Sequence, residues 1–261
     1  MTKLTRTGKL TEKMLNQRQN AILKILGDKE QTSVKTLSDS LQVSSVTIRQ
    51  DLNLLEEEGL LKRVHGGAVL KDADDLGSRL GVHYERKLRI ARKLASHVCE
   101  GETILIESGS VNALLARELM KLRQVTVVTS NVYIARQFRK NKGASIILLG
   151  GIYQHESESL VGMLAKATID QLHIQKAFMG IDGYTPEGGF MLRDLLRAEI
   201  SGHIIRRAEE VFIVSDSSKF GRPGLTNICR LEDVAHIATN RDLERKYQDE
   251  FRKAGIEMIL A

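Results

Sequence analysis

Cysteine is nearly absent from this 261-residue chain, which has only Cys99 and Cys229. Two cysteines cannot build a disulfide framework, and their spacing matches no zinc motif. Two buried thiols in a reducing compartment are expected, with no metal and no cofactor. Long apolar runs are missing as well. No stretch approaches the roughly 18 residues that a membrane helix needs, so no membrane partner is expected. The N-terminus carries charge without an apolar core segment, so a soluble, cytoplasmic protein without a secretory leader is expected. Acidic residues are scarce at the start: residues 1–27 hold Lys3, Arg6, Lys9, Lys13, Arg18 and Lys24 against Glu12 alone. They supply most of an overall charge of +6, which suits a polyanionic partner.

A hydrophobic content of 42% supports real cores, and the length fits one large or two modest domains. In the first seventy residues the pattern is helical. Leu15, Ile22, Leu23, Ile25 and Leu26 recur at helical spacing until Gly27. Ser33 can cap a second helix that carries Val34, Leu37 and Leu41. Gln42 and Val43 make a turn, and Ser44 can cap a third helix. In that helix Ile48, Leu52 and Leu55 share a buried face, and Gly59 ends it. Its other face carries Ser45, Thr47, Arg49 and Gln50 near the N-terminus. Arginine pairs bidentately with guanine and glutamine with adenine. The hydroxyls of Ser44, Ser45 and Thr47, with the helix N-terminal amides, suit phosphates. Glu56, Glu57 and Glu58 would be repelled by DNA, so only the N-terminal half approaches it. Residues 61–65 then read as a strand, Gly66-Gly67 as a tight turn and 68–70 as a return strand. Lys62, Arg63 and His65 lie along this wing. Three helices and a basic hairpin make a winged helix, whose third helix enters the major groove of double-stranded operator DNA.

Residues 71–81 are polar with two glycines and read as a hinge between domains 1–70 and 82–261. A helix follows over 84–98. Strand patterns at 103–106, 125–129, 145–149, 176–179, 211–214, 235–238 and 257–260 alternate with helical patterns at 112–121, 131–140, 163–172, 195–207 and 241–254. That alternation gives an α/β fold around a mainly parallel sheet, whose ligands sit at the carboxyl ends of its strands. Those ends carry Ser108, Gly109 and Ser110, then Thr129, Ser130 and Asn131, then Gly150 and Gly151, where a ligand can approach the backbone. Gly180 to Gly183 follow, with Asp182, and then Asp216 to Lys219, whose lysine adds a positive charge. Asp194 joins them as a carboxylate for ligand hydroxyls. Each loop alone can be a capped turn, but five on one sheet edge point to a phosphate-bearing ligand.

Residues 18–68 resemble the N-terminal domain of the DeoR family of bacterial repressors. Arg18 and Ile22 stand in the first helix. Val43 to Leu52 fits Val-Ser-x-x-Thr-Ile-Arg-x-Asp-Leu, followed by Leu55-Glu56 with Gly59-Leu60 and the His65 to Ala68 wing. Gln50 stands where the family more often has Arg or Lys. The second half is similar to the family's effector domain, which resembles sugar-phosphate isomerases such as ribose-5-phosphate isomerase. Ser108 to Ser110, Thr129 to Asn131, Gly150-Gly151, Gly180 to Asp182 and Asp216 to Phe220 carry that likeness. Glu107 and Val111 depart from the usual Asp and Thr, and the stretch between Tyr84 and Ile90 is shorter than usual. Arg193, Asp194 and Arg197 stand where many members have a polar residue and a Glu, as in a subgroup tied to hexitol or hexose-phosphate operons.

The resemblance implies a homo-oligomeric, non-enzymatic repressor of a sugar or hexitol operon, with Arg18 among its DNA contacts and a phosphorylated sugar or polyol as effector. Paired half-sites also favour an oligomer, because one winged helix has a small footprint. Two other readings stand beside it. One is an isomerase-like enzyme carrying a DNA-binding domain, with Asp182, Asp194 and Glu199 as acid/base groups and Lys219 steadying an enediolate. The other is a nucleic-acid module whose second half only oligomerises.

Overall fold

The computed structural model describes residues 15–27, 31–57, 60–69, 76–122 and 124–261. The basic stretch before residue 15, Gly59, Leu70 and residues 71–75 of the expected hinge lie outside them. The chain divides into two compact units, Met1–Lys71 and Asp72–Ala261.

The first unit runs α1 (Gln17–Gly27), β1 (Gln31–Ser33), α2 (Val34–Leu41), α3 (Ser45–Glu57), β2 (Lys62–Val64) and β3 (Gly67–Val69). Its helices bury Ile22, Leu23, Leu26, Val34, Leu37, Ile48, Leu52 and Leu55. Ser33 accepts the Thr36 amide at 3.0 Å and Ser44 the Thr47 amide at 3.1 Å. These caps satisfy donors that a helix start leaves open. Gln42, with φ of 52°, closes α2 in the left-handed region and turns the chain toward α3. The periodicity gives no hint of β1, three residues of Gln-Thr-Ser. It adds a third strand to the wing, in the antiparallel order β1-β3-β2. Gly66 supplies the turn, with φ of 73°. Gly67 is needed for a different reason, since a Cβ there would lie 2.4 Å from the Thr32 carbonyl oxygen.

Asp51, in the middle of α3, is only 3% exposed. It accepts Arg18 Nε at 2.5 Å, Arg18 Nη2 at 3.3 Å and Gln19 Nε2 at 3.1 Å. A buried carboxylate is tolerated only with such donors. Here they come from α1, so the ion pair fixes α1 against α3.

The second unit opens with α4 (Leu76–Gly81) and α5 (Tyr84–Ala95). Residues 76–81, part of the expected hinge, are therefore helical; Leu76 and Leu80, four apart, are both buried and give this segment an apolar face. There follow β4 (Thr103–Ile106), α6 (Ser110–Leu119), β5 (Thr126–Thr129), α7 (Val132–Gln137), β6 (Ser145–Leu148), β7 (Ile152–Gln154), β8 (Ser159–Val161), α8 (Met163–Ile169) and β9 (Ile174–Gly180). The chain ends with β10 (Gly183–Thr185), β11 (Gly189–Leu192), α9 (Leu195–Ile205), β12 (Ala208–Val214), β13 (Thr226–Cys229), β14 (His236–Thr239), α10 (Arg245–Lys253) and β15 (Glu257–Leu260).

Seven strands form one parallel sheet in the order β15-β14-β12-β9-β4-β5-β6. Its central strands are buried where they run Ile104 to Ile106, Ala177 to Gly180 and Val211 to Val214, as a sheet covered on both faces requires. The chain builds outward from β4 through β5 to β6, then returns to β9 and builds the other way. The switch point, where ligands of such sheets bind, lies between β4 and β9. Asn112 braces it, donating from Nδ2 to the carbonyls of Glu107 and Phe178, both at 2.9 Å.

Two smaller pieces have no signature in the sequence pattern: the β7–β8 hairpin and the antiparallel sheet β10-β11-β13. Their strands have three or four residues, too few to show alternation. Aromatic packing stabilises the second piece, with Tyr184 4.7 Å from Phe190 and 5.1 Å from Phe251 between ring centroids. Cys229 is buried, but Cys99 is exposed in the turn after α5, which corrects the expectation of two buried thiols. No helix among the described residues is long and apolar enough to cross a membrane.

Replacing Asp51 with alanine strands Arg18 and Gln19 without their shared acceptor. The first unit should lose about 2–4 kcal/mol, seen as an earlier helix-unfolding transition in urea for the full chain. An unchanged midpoint would show that the pair does not fix α1 to α3.

Candidate functional site

On α3, Arg49 and Gln50 are exposed, while Ser45 and Thr47 are partly covered. The hydroxyls of Ser44 and Thr47 bond each other at 2.9 Å, so both are partly spent on the cap. Val46 escaped the sequence reading because valine usually marks a core position; here it is 62% exposed. It shares a face with Arg49 and Gln50, three and four residues on. An isopropyl group there matches the chemistry of a thymine methyl. Two expected contacts have partners within the protein. Arg18 gives its guanidinium to Asp51. Arg63 is turned back by the pleat of β2, its guanidinium bonding Asn53 and its amide Glu56. Lys62 and His65 are exposed.

In the second unit the β4–β9 switch gathers charge. Glu107 follows β4 and is 2% exposed; its Oε2 accepts the Gly180 amide at 3.3 Å. Asp182 follows β9 and accepts the Arg193 amide at 3.1 Å and Arg79 Nη2 at 3.4 Å. Arg197, on α9, stands 3.9 Å from both Glu107 and Asp182. Lys87, on α5, donates to the Arg79 carbonyl at 2.5 Å and lies 4.0 Å from Asp216. Lys219 is half-buried nearby. Four cations thus face three carboxylates where water is scarce.

Burial dominates the titration of Glu107, Lys87 and Lys219. It pushes the Glu107 carboxyl up to about 7 despite Arg197, and the Lys87 ammonium down to about 7 despite Asp216. Burial works to raise Asp182 too, but Arg79 and Arg197 outweigh it and hold that carboxyl below its ordinary value. Burial, helped by Arg79, lowers Lys219.

Beside this cluster α6 begins. Gly109 precedes it with no side-chain cap, so the first amides are open, as an anion requires. The Ser110 hydroxyl makes no hydrogen bond to any described residue, and Ser108 Oγ accepts Asn131 Nδ2 at 3.3 Å. A Cβ at Gly180 would lie 2.5 Å from the Ser108 carbonyl, so glycine lets the two loops close on each other.

The other sequence-picked positions brace this crevice. Thr129 donates to the Ile106 carbonyl at 2.7 Å and accepts the Asn131 amide at 3.1 Å. Asn131 caps α7 and reaches the Ser157 carbonyl at 2.8 Å, and Ser130 between them is buried. Gly150 is exposed. Gly151, with φ of 143°, meets backbone rather than ligand, since a Cβ there would lie 2.4 Å from the Val161 carbonyl. Asp194 caps α9 through the Arg197 amide at 2.7 Å and holds Gln154 at 3.0 Å. Arg79 and Lys87 carry no sequence signal as site residues, because a cation in a polar hinge or on a helix reads as solvated; Arg197 is marked only by the family resemblance.

A winged-helix unit joined to an α/β unit with a charged crevice at its switch point is the architecture of a DNA-binding sensor. The chain belongs to the DeoR family of HTH-type transcriptional regulators: the DeoR C terminal sensor domain matches residues 82–241, and the DeoR-like helix-turn-helix domain residues 18–74. The HTH-type transcriptional regulator GolR of Listeria innocua serovar 6a is 32% identical, covering 94% of this chain and 98% of its own. The glycerol-3-phosphate regulon repressor of Escherichia coli (strain K12) is 30% identical over 86% of this chain and 90% of its own. Among solved structures, ribose 5-phosphate isomerase A from Methanocaldococcus jannaschii matches with a TM-score of 0.40 and 19% identity, over 53% of this chain and 55% of that one.

The Glu107 shift makes stability depend on pH. Between its unfolded value near 4.5 and about 7 the folded chain binds the extra proton. Stability should therefore fall as pH rises through that window, by up to about 3 kcal/mol. Lys87 acts in a separate window, from about 7 to 10.5, where stability rises with pH. Glu107→Gln should flatten the lower window only, in melting curves taken from pH 4.5 to 8. A variant curve parallel to wild type would refute the assignment.

Proposed function

We propose that this chain represses a carbohydrate-utilisation operon under the control of a phosphorylated sugar or polyol, and that it is not an enzyme. The observation that carries the effector is the crevice itself: an uncapped helix start with two serines, next to a cluster of four cations, Lys219 among them, and three carboxylates. Ser108, Gly109, Ser110 and Lys219 take the phosphate, and Asp182 takes ligand hydroxyls. Thr129, Ser130, Asn131, Gly150, Gly151 and Asp194 hold the walls. Relatives named as a glycerol-3-phosphate regulon repressor and a putative aga operon transcriptional repressor support the choice of operon class.

The geometry weighs against isomerase chemistry. Glu199 is exposed and pairs with Lys166, Asp194 is spent on a cap, and Asp182 is held ionised by arginines. A working acid/base pair needs shared reach to one substrate, which these three carboxylates do not have.

Coupling runs through α4. Residues 71–75 connect the wing to this helix, and Arg79–Asp182 with Lys87 on the Arg79 carbonyl tie it to the crevice. A ligand that takes Asp182 competes with Arg79, and so favours one placement of α4 over another.

DNA is read by Ser45, Val46, Thr47, Arg49 and Gln50, with Lys62 and His65 on the backbone. Arg49→Ala should cost about 1–3 kcal/mol on a duplex selected by the wild-type protein, measured by fluorescence anisotropy. Release of the same duplex by one of a panel of sugar and hexitol phosphates tests the effector. Wild-type affinity in the variant, or no probe that alters binding, would contradict the respective half.

A homo-oligomer completes the proposal. Met163 and Leu164 at the start of α8, Ile152 on β7 and Leu195 at the start of α9 are 85%, 69%, 68% and 61% exposed, an apolar surface that suits a second copy. Sedimentation should give a dimer or larger, shifted toward monomer by Leu164→Asp. A wild-type monomer with full operator affinity would rule this out.

A further inference from the structure

Arg197 has incomplete surroundings. It is 4% exposed, yet its guanidinium forms no hydrogen bond with any described residue. Nε is buried with no partner. Its nearest carboxylate oxygens are Glu107 Oε1, 3.9 Å from Nε, and Asp182 Oδ2, 3.9 Å from Nη2. A guanidinium has five donors and cannot shed its charge, so a buried N–H of it that has no acceptor is costly. Other donors hold both carboxyl groups in place at this distance. The Gly180 amide holds Glu107, and the Arg193 amide and Arg79 hold Asp182.

A 3.9 Å separation is too long for a hydrogen bond. One oxygen atom can bridge it, provided that it accepts from the guanidinium and donates to the carboxylate. A ligand hydroxyl does both, as does a water molecule that such a hydroxyl would replace. A phosphate oxygen accepts but cannot donate, and would stand against two carboxylates. An ammonium donates but cannot accept. There are two such gaps, on Nε and Nη2, which form one edge of the guanidinium fork. That spacing fits hydroxyls on neighbouring carbons. The open start of α6 belongs to the same crevice, since a Cβ at Gly109 would lie 3.6 Å from Gly180 Cα.

We propose that Arg197, set between Glu107 and Asp182, is the specificity-determining residue of the effector pocket and takes two adjacent hydroxyl groups of a polyhydroxylated ligand. This rests on the reading of a sugar or polyol phosphate held at Ser108–Ser110 and Lys219. It adds that the pocket tells a hydroxylated ligand from its deoxy counterpart, and that Arg197 makes the distinction.

Calorimetric titration of the full chain tests it. The probes are ribose 5-phosphate and 2-deoxyribose 5-phosphate, glucose 6-phosphate and 2-deoxyglucose 6-phosphate, glucitol 6-phosphate, glycerol 3-phosphate and inorganic phosphate. Wild type should prefer one hydroxylated probe over its deoxy partner by about tenfold or more. Arg197→Lys keeps the charge but loses the fork. Arg197→Met with Glu107→Gln removes one charge of each sign, so that folding does not fail on a stranded carboxylate. Both should cut the preference to about threefold or less and leave inorganic phosphate binding unchanged. Lys219→Ala should weaken every phosphorylated probe alike and keep the preference. Folded Arg197 variants with the wild-type preference would overturn the proposal while the sugar-phosphate reading stands, and so would a wild type that binds hydroxylated and deoxy probes equally. A wild type that binds none of the probes would overturn both.

Discussion

The parting of the chain between β4 and β9 is the constraint on which the second unit depends. A parallel sheet that builds outward in two directions leaves a crevice where the directions diverge. Strand ends deliver Glu107 and Asp182 there, β12 delivers Asp216 and Lys219, and helices bring Arg79, Lys87 and Arg197. None can be hydrated as a surface charge is, so each position is set by the others. Asn112 ties the Glu107 and Phe178 carbonyls together at the mouth of the crevice.

The first unit uses the same device on a smaller scale. Asp51 is a buried carboxylate held by two residues of α1, and it orients the helix whose far face carries Val46, Arg49 and Gln50. An arginine that resembles a DNA contact in the sequence has a structural task as well, holding in place the helix that carries those exposed residues. In both units a buried ion pair gives position, which nonspecific apolar packing supplies poorly.

The seven strands of the parallel sheet are legible in the sequence because each is an apolar run bounded by turn residues, with a helix-length interval before the next. The caps at Ser33 and Ser44 are legible because capping depends on local chemistry. The β1 strand, the β7–β8 hairpin and the antiparallel sheet are not, since three residues carry no period. At the site, the strand-end loops could be found, but their division of labour could not. Thr129 and Asn131 look like ligand groups, and the structure spends their polar atoms on neighbouring loops. In the sequence Arg79 looks like a charge in a polar hinge and Lys87 like a solvent-facing charge on a helix. Only the sheet topology, which no local pattern encodes, brings them inside.

The unequal fates of the two cysteines give the molecule a built-in attachment point. Cys229 is buried, and burial holds its thiol far above the range in which thiolate forms near neutral pH. Such a thiol is a poor nucleophile. Cys99 is exposed in the turn that ends α5, the helix that carries Lys87 into the crevice. A maleimide dye or spin label added to the unaltered chain therefore goes to one place, four residues beyond the helix that reaches from the crevice to α4.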